Sequence, residues 1–112
     1  MATGRLGAVN ITTTADTTVY GPVPASTFAV VSVNVVNRSS SASAQIKIAV
    51  SNLATPVLAE YIEYDSALVA NGVLERTGIV MDSTLGRYLV VSTPTGTPTL
   101  SVVVYGIETS TA

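Results

Sequence analysis

Apolar and polar residues alternate along most of this chain with a period of two. Residues Ala44 to Ser51 show it most cleanly: Ala44, Ile46, Ile48 and Val50 share one side, and Gln45, Lys47, Ala49 and Ser51 the other. This is the pattern of a strand with one face in a core. Thr27 to Asn37 is the longest strand candidate, with Val31, Val33 and Val35 on one face and Ser32 and Asn34 on the other. Phe28, Val30 and Val36 join the second face, so the ends of this strand are expected to be covered on both sides. The polar tract Arg38 to Ser43 separates the two segments, and together they read as a hairpin with a Ser-rich loop.

Shorter strands complete the pattern. Arg5 to Thr14 reads as a strand running into a turn, and Thr17 to Tyr20 as a second one, stopped by Gly21-Pro22-Val23-Pro24. Leu58 to Tyr64 reads as extended, with Leu58, Glu60, Ile62 and Tyr64 on one side and Ala59, Tyr61 and Glu63 on the other; a short helical turn is the alternative. Asn71-Gly72 suits a turn with positive φ. Val73 to Val80 follows, broken at Gly78, where a bulge or a close backbone approach is expected. Asp82 to Gly86 turns the chain again. Arg87 to Ser92 and Thr99 to Glu108 read as a closing pair around the Pro- and Gly-rich loop 93–98, leaving a frayed tail from Thr109 to Ala112. About eight strands at this spacing predict one all-β domain spanning residues 1–112, a small antiparallel β-sandwich of jelly-roll or immunoglobulin-like type. No helical period persists, and no internal repeat or linker divides the chain.

Composition sharpens this picture at two points. Val, Ile, Leu and Ala dominate the apolar residues, with one Phe, five Tyr and no Trp, which favours pleated sheet over helix. Only 11% of residues are charged, against about 25% in ordinary globular chains. Such a surface is readily buried against another protein, because few charges need desolvation. That points to an oligomer or assembly component. A net charge of −2 and five dispersed basic residues argue against nucleic-acid binding. No window approaches the length of a membrane span, and Met-Ala-Thr-Gly-Arg-Leu-Gly lacks the apolar run of a secretory signal, so neither membrane insertion nor signal-directed export is expected.

The chemistry-bearing residues are few. Without His or Cys, the commonest general bases, nucleophile pairs and transition-metal ligands are missing. A Ser–Lys pair would need Lys47, which the alternation sets on the outer, solvated face. Glu60, Glu63 and Asp65 fall close together, but on a regular strand Glu63 and Asp65 share a face with Glu60 opposite. They read as solvated edge charges, with a calcium site as the alternative. No catalytic residue, cofactor or metal is assigned. Glu75 and Arg76 are neighbours and point to opposite faces, each toward a different strand or a neighbouring subunit. Because Val73, Leu74 and Ile79 surround them, the segment Val73, Leu74, Glu75, Arg76 and Ile79 is the expected oligomer or partner contact.

Several stretches carry a resemblance. AEYIEYDSALVANGVLERTG (residues 59–78), the following IVM, VVVYGIE (102–108), the opening MATGRLG and the strand VSVNVVNRSS (31–40) take up less than half of the chain but are spread along its length. They resemble small β-sandwich virion proteins of tailed phages, notably phages of marine bacteria and cyanobacteria. The resemblance implies a capsid decoration (cement) protein, typically a homotrimer, whose partners are its own copies and the major capsid protein. It is then made in the host cytoplasm and located in the virion. A head- or tail-fibre knob recognising a host glycan is the competing expectation. Tyr20, Tyr61, Tyr64, Tyr88 and Tyr105 fall mostly in strands rather than loops, which speaks against it.

Overall fold

The computed structural model describes residues 3–94, 96 and 98–111. Eight strands run in chain order: β1 (Thr3–Ile11), β2 (Thr17–Tyr20), β3 (Thr27–Asn37), β4 (Ala44–Ser51), β5 (Tyr61–Leu68), β6 (Val73–Asp82), β7 (Tyr88–Ser92) and β8 (Leu100–Ser110). They form two four-stranded sheets. Sheet A has the order β1-β8-β3-β6 and sheet B the order β2-β7-β4-β5, with every pairing antiparallel. This interleaved winding is that of a jelly roll and decides between the two sandwich types left open above.

The bounds of β3 and β4 fall as expected, but their pairing does not. β3 lies in sheet A and β4 in sheet B, so these segments form no hairpin. The expected closing pair is likewise split, β7 in sheet B and β8 in sheet A. One cause underlies both corrections. Each of these strands buries an apolar face, and facing across a core satisfies both faces at once, whereas side-by-side pairing leaves both in need of a cover. β4 and β5 are the strands consecutive in sequence that do pair.

The core lies between the sheets. Val31, Val33 and Val35 of β3, Val102 and Val104 of β8, and Met81 of β6 face Ile46 and Ile48 of β4 and Leu89 and Val91 of β7, all essentially inaccessible to solvent. The five expected core residues (Val31, Val33, Val35, Ile46 and Ile48) are all among them. Gly106 is a point of close backbone approach: a Cβ there would lie 2.1 Å from the Val30 carbonyl oxygen.

Smaller departures have local causes. Leu58–Glu60 forms a 3-10 turn, so the strand begins at Tyr61. The first strand begins at Thr3, two residues before the expected segment, and ends at Ile11, where the expected turn follows. The expected frayed tail is ordered as far as described: β8 continues to Ser110, and the Thr111 N–H donates to the Ser26 carbonyl at 2.8 Å. Ala112, and Thr95 and Thr97 of the 93–98 loop, lie outside the described residues.

Candidate interaction surfaces

β6, which carries the expected contact segment, is an edge strand of sheet A. Its register against β3 slips between Val31 and Val33, with Gly78 at φ 68°, so it is the bulge that is present at this glycine. Glu75 and Arg76 do point to opposite faces. Arg76 pairs with the core residue Val33 and turns inward, where its Nη1 donates to Glu63 Oε1 at 2.7 Å and to the Ile62 carbonyl at 3.0 Å, both on β5. It therefore ties sheet A to sheet B at the open side of the sandwich. Glu75 turns outward and accepts a hydrogen bond from the Tyr105 hydroxyl at 2.5 Å.

The apolar neighbours divide differently from the expectation. Unbroken alternation from Val73 would put Ile79 on the outer face, but the extra residue at the bulge reverses the phase. Ile79 is buried (7% exposed), Leu74 packs half-buried against the core, and the exposed side chains are Val73 (60%) and Val80 (68%). Leu74 and Ile79 are thus covered by the chain itself. Val80 was missed, and the signal for it was Gly78.

The two outer faces differ in kind. On sheet B, Ala49 and Val90 point away from the core yet are fully buried, and Ser92 nearly so. Tyr61 lies beside Ala49 in the pairing. Lys47, expected to be solvated, has a side chain only 18% exposed. Its Nζ lies 4.3 Å from the Tyr64 ring centroid and 3.5 Å from Asp65 Oδ1. A register slip between Ile46 and Ile48, with Asp65 at φ 55°, turns both Tyr64 and Asp65 toward Lys47. Tyr64 meets Tyr61 edge-on, with ring centroids 5.2 Å apart, and remains half exposed.

The outer face of sheet A is open. Phe28, Val30, Ile107 and Val80 lie together toward one end, and Val36 and Val73 toward the other. A mainly polar band of Arg5, Tyr105, Ser32, Asn34 and Glu75, with Val103 beside Asn34, separates them. Among the described residues Arg5 is the cation without a hydrogen bond, ion pair or ring contact.

The three neighbouring carboxylates go separate ways. Glu60 closes the 52–60 connection: Oε1 accepts from Val57 N–H and the buried Ser51 hydroxyl, both at 2.9 Å, and Oε2 from Asn52 N–H at 3.2 Å. These bonds, the Val57 N–H foremost, hold its pKa below the usual value. Glu63 is held low by the Ser66 hydroxyl first and by Arg76 as well. The bulge at Asp65 means that Glu63 and Asp65 do not share a face: one meets Arg76, the other Lys47. Among the described residues, no three acidic side chains converge to hold a metal ion.

One end of the sandwich carries apolar loop tips. The 52–60 and 83–87 connections meet there, joined by the Arg87 N–H to the Ser51 carbonyl at 2.9 Å, and they expose Leu53, Val57, Leu58 and Leu85. Asp82 fixes the second connection. Its Oδ1 accepts from the N–H groups of Thr84 (2.9 Å), Leu85 (2.8 Å) and Gly86 (3.0 Å), which lowers its pKa from 3.8 to about 2. A surface concavity of about 480 Å³ is lined by Ala42, Ser43, Gln45, Thr93 and Pro98 among others, and among its described lining residues none is ionisable. No protein-family model matches the chain, and no curated protein shows detectable similarity to it.

Proposed function

We propose that this protein is a non-enzymatic structural component of a phage virion, a capsid decoration protein that packs against capsid subunits and against its own copies. The observation that carries the reading is the distribution of uncovered apolar side chains. Most gather on the outer face of sheet A and at one loop end, whereas on the strands of sheet B Tyr64 is the one large apolar side chain exposed among the described residues. Soluble monomers rarely leave contiguous apolar patches larger than a few hundred Å² uncovered, and such patches mark interaction sites. The exposed tips of the loop-end connections, Leu53, Val57, Leu58 and Leu85, are apolar, and the carboxylates beside them, Glu60 and Asp82, are already hydrogen-bonded within their own turns, so docking this end against a capsid desolvates few free ions. Support from the architecture is analogy alone: jelly rolls occur in viral capsid proteins and also in lectins. Quantitative mass spectrometry of the particles whose genome encodes the chain tests the reading. Copies in the hundreds per particle support decoration, and absence from the particle refutes it.

The glycan-binding knob has one observation in its favour. Tyr64 is a half-exposed ring held in place by Lys47 and Tyr61, with the Asp65 carboxylate alongside, which is a stacking platform with an adjacent hydrogen-bond acceptor. Glycan-array binding abolished by Tyr64→Ala, together with tens of copies per particle at most, would put this reading first.

A further inference from the structure

We infer that the outer face of sheet A is a self-association surface whose occupant is the same face of a second copy. The inference rests on the structural reading above and names its partner. Three observations carry it.

The first is area. β3 and β8 each run 11 residues across a four-stranded sheet. At about 3.4 Å per residue and about 4.8 Å between strands, the face measures roughly 700 Å². That is close to the roughly 800 Å² per partner of a stable protein–protein interface.

The second is its layout: apolar side chains toward both ends of the strands and a polar band between. Two copies related by a twofold axis parallel to the strands match this layout to itself. The axis exchanges β8 with β3 and β1 with β6, so Ile107 of each copy meets Val30 of the other, while Tyr105 of each meets Ser32 and Val103 meets Asn34 in the band between.

The third is charge. Arg5 lies on the β1 edge opposite Tyr105, and Glu75 lies on the β6 edge opposite Asn34, one two-residue step away along the strands. The same axis carries each Arg5 over the other copy's β6 edge, within reach of Glu75. The unpaired cation and the outward carboxylate then meet twice, once at each side of the interface. A face whose charges complement their own rotated image favours an isologous pair. This is a dimeric contact, in place of the threefold assembly that the resemblance implies.

Sedimentation equilibrium on the full chain across micromolar concentrations tests it. The wild-type protein is expected to be a dimer, and Val80→Lys with Ile107→Lys to raise its dissociation constant by roughly thirtyfold or more. Both positions are substantially exposed, and a thermal melt checks that the variant folds. Arg5→Glu should weaken the dimer, and adding Glu75→Arg should restore it. Should the double lysine variant fail to fold, the Arg5→Glu and double-swap pair, at exposed edge positions, decides alone. A monomer throughout, a closed trimer, or a dimer indifferent to all these changes overturns the inference. Copy number per particle is a separate measurement, so a dimer absent from virions would overturn the function and leave the contact standing.

Discussion

Arg76 is the residue for which sequence and structure suggest different work, and a double-mutant cycle with Glu63 separates them. Arg76→Ala removes a 2.7 Å ion pair and a 3.0 Å bond to the Ile62 carbonyl, the connection between β6 and β5. A fully exposed ion pair contributes about 0–1 kcal/mol, and a shielded hydrogen bond to a charged group about 1.5–3 kcal/mol. The side chains here are 41% and 21% exposed for Arg76 and Glu63, between those limits. The single change should therefore cost about 2 kcal/mol, part of it from the aliphatic stem. The coupling between the two residues should be about 1 kcal/mol.

Urea unfolding of the wild type, Arg76→Ala, Glu63→Ala and the double variant supplies the cycle, with a fall in Tm of about 4 °C per kcal/mol as a parallel readout. The coupling should also follow pH with a definite sign. The folded Glu63 pKa is depressed, so the stabilisation is fully present above its ordinary value of 4.5 and is lost as pH falls through the lowered one. A coupling below about 0.3 kcal/mol, the level at which independent sites add, would refute the inter-sheet tie. So would a coupling that appears only in an oligomer, since Arg76 would then belong to a subunit contact.

Ile48→Ala, at a fully buried position, should cost about 2–5 kcal/mol in chemical denaturation through lost transfer energy and the cavity left behind. Asp82→Ala should cost about 1 kcal/mol, because three N–H groups lose their common acceptor but gain water at an exposed turn. In acid, the Asp82 contribution should persist down to about pH 3.8 and vanish as pH falls toward about 2, seen as a wild-type loss of Tm that Asp82→Ala lacks. Gly106→Ala should destabilise by more than about 3 kcal/mol, since the added Cβ meets backbone at 2.1 Å and backbone cannot rotate away; an unchanged midpoint would contradict the pairing of β8 with β3.

Strand identity was legible because period two is a local signal, and β3 and β4 carry it without interruption. Strand pairing was not, because the same apolar face serves a hairpin neighbour or a strand across the core, and only the closed sandwich chooses. The sites failed to read through for a related reason. At these two sites the phase reverses at one residue of positive φ: Gly78 moves Ile79 inward and Val80 outward, and Asp65 separates itself from Glu63. Gly78 announced itself, whereas an aspartate at φ 55° in a strand does not. Lys47 shows the other limit. Its face was read correctly, but Tyr64 and Asp65 cover it, and alternation reports direction rather than exposure.

The low charge of this chain also takes on a different meaning once the partners are known. Twelve charged side chains would be a thin coat for a surface of 5711 Å², but most of them are fasteners instead. Glu60 and Asp82 fix turns, Arg76 and Glu63 tie the sheets, Lys47 and Asp65 anchor Tyr64, and Glu75 and Glu108 accept from Tyr105 and Tyr20. Arg38 reaches Asn10, and Arg87 lies over Tyr88. Charges used this way stabilise the monomer and leave its exterior to Ser, Thr and apolar residues. An exterior of that kind gives little electrostatic repulsion between copies and little desolvation cost on contact. Among the cations Arg5 is the exception, exposed at the edge of the open apolar face. A residue that fastens nothing within its own chain is the natural one to mutate first when looking for what the chain fastens to.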